Sequence, residues 1–75
     1  MSEGVLVAMR FIEAKLHALL SKDRAGTLDM PNLRWEIEQR IKLRNDLIGR
    51  LSEDVIRSRG VRHMNNFGEL EDANP

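Results

Sequence analysis

Two apolar stripes at helical spacing, parted by a short run of breakers, constrain what this chain can become more than anything else in it. Val5, Met9, Ile12, Leu16 and Leu19 recur at intervals of three and four residues, and Ile37, Ile41, Ile48, Leu51 and Val55 keep the same rhythm. That spacing puts each set on one face of an α-helix. Between them, Ala25-Gly26-Thr27-Leu28-Asp29-Met30-Pro31-Asn32 stops one helix and starts the next. Glycine takes the left-handed conformation at a helix end, and proline fits a first turn because its missing amide would be unpaired there anyway. No segment alternates apolar and polar residues as a half-buried strand does. The pattern predicts an all-α antiparallel helical hairpin over residues 1–59. Helix 1 covers about 3–22, a longer helix 2 covers about 31–59, and a flexible acidic tail follows over 60–75.

On the first helix, Val5, Ala8, Met9, Ile12, Leu16, Leu19 and Leu20 share one broad sector, with Phe11 on its flank and Arg10 and His17 opposite. Ser2 can cap its start, Glu3 suits the positive helix end, and Lys22 and Arg24 suit the other end. On the second helix the stripe is Met30, Leu33, Ile37, Ile41, Leu47, Ile48, Leu51 and Val55, with Asp29 or Asn32 as the cap and Gly60 as the stop. Gly49 lies outside the stripe and costs roughly 1 kcal/mol against alanine, a local weak point.

Folding the hairpin about Gly26 sets Leu16 against the Ile37 region, Ile12 against the Ile41 region and Val5 against the Ile48 region. Leu51, Val55 and Ile56 then project past the start of helix 1 with nothing opposite them. Each aliphatic side chain is worth about 1.5–3 kcal/mol when fully buried, so an uncovered overhang is costly. Either a second molecule covers it, or the chain before Val5 or the Val61–Phe67 tail folds back over it. Both stripes are wide, as in bundle helices. The expectation is therefore a homodimer forming a four-helix bundle, with a heteromeric partner next.

Charges interrupt the stripes. Arg44 falls among Ile37, Ile41, Ile48 and Leu51, Arg40 lies near the edge, and Glu13 sits among Leu6, Met9 and Leu20. The arginines hydrate their heads while burying their stems, or one pairs with Glu13 within the chain or across a dimer and fixes the register, or they hold an anionic ligand or a partner's carboxylate. On the register reading Arg44→Leu raises thermal stability and loosens oligomeric specificity.

Twelve Lys and Arg balance twelve Asp and Glu, which leaves no global field to draw the chain to nucleic acid or to a membrane. The absence of cysteine fits a reducing, cytoplasmic setting and removes thiolate metal sites. Glu13 and His17 are helical neighbours but supply only two metal ligands, so no metal and no cofactor are expected. Without a nucleophile, an acid–base pair in a pocket or a phosphate loop, the chain is not expected to be an enzyme.

The expected function is a non-catalytic protein–protein interaction module: a small regulator, adaptor, chaperone or inhibitor that binds a larger protein. Leu51, Val55 and Ile56 are the candidate assembly residues, Trp35 the partner anchor, and Arg40 and Arg44 the specificity residues. The alternative is a nucleic-acid-binding hairpin dimer using the basic face of helix 2, with Arg34, Arg40, Lys42, Arg44, Arg50, Arg57, Arg59 and the adjoining Arg62. In plan, a short hairpin with an acidic end is similar to the Rop-like RNA-binding dimers.

Overall fold

The computed structural model describes residues 2–26 and 30–72, which form α1 (Ser2–Ala25), α2 (Met30–Ile48) and α3 (Glu53–Arg59). α1 and α2 pack against each other as the expected hairpin. α1 stops at Gly26, whose φ of 64° is the left-handed stop and whose amide donates to the Asp23 carbonyl at 3.2 Å. Of the two candidate caps of α2, Asp29 lies outside the described residues.

The core has two clusters along the hairpin. Nearer the turn, Leu16 and Leu19 of α1 join Leu33, Ile37 and Ile41 of α2, with Ile12, Leu20 and Met64 at the margin. At the far end, Met9, Ile48 and Leu51 are buried among Val5, Leu6, Leu47, Val55, Ile56 and Val61. These groupings keep the register read from the sequence.

The second arm departs from expectation. It is not one helix over 31–59, and α2, at 19 residues, is shorter than α1, at 24. At its end the hydrogen bonds tighten to a three-residue spacing: Gly49, Arg50 and Leu51 donate to Asp46, Leu47 and Ile48. Ser52 is then extended, and its hydroxyl accepts the Val55 amide at 3.2 Å, capping a new helix with Glu53 and Asp54 in its first turn. Gly60, at φ 64°, closes α3, and the Val61 amide reaches back to the Ile56 carbonyl at 2.9 Å. The elbow at residues 49–52 turns Leu51, Val55 and Ile56 back onto Met9, Val5 and Leu6. The predicted overhang is absent, because the chain bends before it can form.

The tail also differs from the loose segment expected. Residues 61–72 lie against the hairpin, with Val61 in the far cluster and Met64 at the margin of the near one. Met64 and Leu70 form an isolated antiparallel bridge, and the Glu71 amide donates to His63 at 2.8 Å. Asn65 Oδ1 accepts the amides of Phe67 and Glu69 and so shapes the turn between them. Gly68 completes the turn at φ 84°, close against Leu20; a Cβ there would stand 2.6 Å from Leu20 Cδ1.

Candidate interaction surface

Helical spacing puts Arg44 on the same face of α2 as Ile37, Ile41 and Ile48, so its side chain enters the core. It is 3% exposed, the one buried charged residue among those described. Its head is well supplied with acceptors. Nε donates to Glu13 Oε2 at 2.8 Å, and Nη1 donates to the Arg62 carbonyl at 2.9 Å and to Asn45 Oδ1 at 3.1 Å. The guanidinium therefore ties α1, α2 and the tail together through charge-assisted bonds. Of the sequence readings, the ion pair with Glu13 is the one found, and it lies within one chain.

Asn45, next door, clamps the tail. Its Nδ2 donates to the Met64 carbonyl at 2.8 Å while its Oδ1 accepts the Met64 amide at 2.9 Å. One side-chain amide thus pairs with both backbone groups of one residue, as a neighbouring strand would. Arg34 adds a third tie, with Nη2 donating to the Asn66 carbonyl at 2.7 Å and Nη1 lying 3.4 Å from Asp23 Oδ2. Nothing in the helical periodicity marks Asn45 for this role, since its partner is nineteen residues away.

The sequence-derived site residues do not gather in one place. Leu51 is buried and Val55 and Ile56 are half-buried, all inside the far cluster. Arg44 is enclosed. Arg40 is half-buried, with Nη1 3.6 Å from Glu36 Oε1 one helical turn earlier. Trp35 is 62% exposed. Five positions separate Trp35 from Arg40, which sets them on different sides of α2. The surface carries further large apolar groups: Val7 and Phe11 on α1, Leu43 on α2, and Phe67 and Leu70 on the tail. Phe11 is 73% exposed. An open groove between α1 and the tail turn is lined by Leu16, His17, Leu20, Phe67 and Leu70.

Among the described residues no three His, Asp or Glu side chains come together where they could hold a metal ion. No described helix is long and apolar enough to cross a membrane. Comparison with known proteins returns no matching family model, no matching curated protein and no matching solved structure.

Proposed function

We propose that this chain is a non-catalytic protein–protein interaction module that assembles as a homodimer of hairpins, in the manner of a four-helix bundle, and binds a larger protein as a regulator, adaptor, chaperone or inhibitor. The observation that carries this reading is the exposure of Trp35 on a helix whose opposite face is firmly packed. A tryptophan on a preformed helix offers a large contact area at little entropic cost, and such residues are enriched among the anchors of protein interfaces. Phe67, 72% exposed on a turn shaped by Asn65, is a second anchor of the same kind.

The nucleic-acid alternative has less to support it. Arg34, Arg40 and Arg44 each lie beside a carboxylate of their own chain, which reduces the basic face available to phosphates. Affinity capture from the native source tests the proposal, using the wild-type chain beside a Trp35→Ala/Phe67→Ala variant whose folding is verified by its helical signal. A protein retained by the first and lost by the second supports the module. Equal recovery by both rejects these anchors.

A further inference from the structure

We infer that α1 carries a second seam, on the face turned away from α2, and that its occupant is α1 of a second copy running antiparallel. This rests on the module reading and names the surface through which two copies meet, an α1-to-α1 contact in place of a shared four-helix core. Gly4, Val7, Phe11, Ala14, Ala18 and Ser21 recur at intervals of three and four residues, and all six are exposed. The stripe bears no charge, and a Cβ built on Gly4 would meet nothing within 4 Å. Such a heptad-like row is the geometry of a helix–helix seam. The residues that face α2 are a separate set.

Size and charge together select the occupant. When two α1 helices are laid antiparallel about a two-fold axis between Phe11 and Ala14, Phe11 meets the partner's Ala14 and Val7 meets the partner's Ala18. Gly4 then meets the partner's Ser21. Each bulky side chain finds a small one, and the two-fold axis repeats the match. Along one edge Glu3 comes beside the partner's Arg24, giving an ion pair at each end of the seam. Within the chain, neither Glu3 nor Arg24 makes an ion pair with a described residue. A parallel pairing would instead set Phe11 against Phe11 and leave Glu3 at the opposite end of the seam from the partner's Arg24. From Gly4 to Ser21 the seam is about 26 Å long and made mostly of small side chains, which places it at the small end of specific interfaces and its dissociation at roughly micromolar concentration.

Sedimentation equilibrium of the full chain, from micromolar to millimolar concentration, tests the seam. The wild type is expected to dimerise, and Phe11→Glu to weaken that at least about thirty-fold while leaving helicity unchanged. Glu3→Arg weakens it too, and adding Arg24→Glu to the same chain restores it. The protein has no cysteine of its own. A mixture of Val7→Cys and Ala18→Cys chains should therefore form a mixed disulfide under mild oxidation, while neither forms a disulfide alone. A wild type that stays monomeric at millimolar concentration overturns the seam. So does a dimer that Phe11→Glu leaves intact, although that result keeps self-association and moves it to another face. A monomer removes the homodimer from the proposed function, while binding of a larger protein fails separately, if the chain retains no partner through Trp35 and Phe67.

Discussion

Replacing Arg44 with methionine keeps most of the apolar stem and deletes the head that joins three parts of the chain. That head donates to Glu13, Asn45 and the Arg62 carbonyl. Removing one partner of a fully buried ion pair costs about 3–5 kcal/mol, because the other charge is left stranded. That full penalty does not apply here, since the Glu13 side chain is 40% exposed and can recover water. The expected loss for Arg44→Met is about 2 kcal/mol, within the range for hydrogen bonds to charged groups. In a domain of this size that lowers Tm by about 8–16 °C. Glu13→Gln leaves the guanidinium buried against neutral oxygens and should cost at least as much. Because the two residues touch, the double variant should lose less than the sum, by about 1–2 kcal/mol. Urea unfolding followed by helical circular dichroism measures all four corners of the cycle. Singles within about 0.5 kcal/mol of wild type, or strictly additive losses, would refute the clamp. The sequence alone favours the opposite sign for an apolar residue at this position, because it shows the charge in the stripe without the acceptors that surround it.

Three other outcomes follow from the packing. Asn45→Ala should cost about 1–3 kcal/mol by leaving the Met64 backbone unpaired; hydrogen exchange should show the Met64 amide losing protection while the amides of α1 keep theirs. Leu51→Ala should lower the urea midpoint at every protein concentration, by an amount near the low end of the 2–5 kcal/mol typical of such truncations, since Leu51 lies at the core margin; unchanged stability would bring back the uncovered overhang. Ser52→Ala should cost about 1 kcal/mol through loss of the α3 cap, read as a lowered thermal midpoint.

The hairpin and its register were legible because each depends on local periodicity or on a simple fold about Gly26, whereas that register sets Glu13 across from Arg40 and leaves its pairing with Arg44 as one reading among several. The elbow was not. Ile48, Leu51 and Val55 keep helical spacing across it because all three still point inward after the bend. A stripe records which residues are buried, not whether the backbone between them is helical. The counter-signal was present in Gly49 and in Ser52-Glu53-Asp54, a weak spot followed by a capping sequence, but unbroken periodicity masked it. The tail escaped for a different reason. Its order comes from polar contacts with Arg34, Arg44 and Asn45, and such distant pairings leave no local mark. On the surface, Trp35 was visible as an apolar residue outside the stripe, whereas Phe11 passed as a flank of the inner face until the fold showed that face turned elsewhere.

The Arg44 clamp also sets an order of events. Its bond to Glu13 closes a loop of 31 residues, and its bond to Arg62 closes one of 18. Although the shorter loop is the cheaper to close, the apolar cluster between α1 and α2 is what holds the guanidinium in place, so hairpin first and C-terminal segment second is the expected sequence of folding. Residues 61–72 would then act as a latch, engaging a scaffold already made, and a stop codon placed just beyond Gly60 removes it.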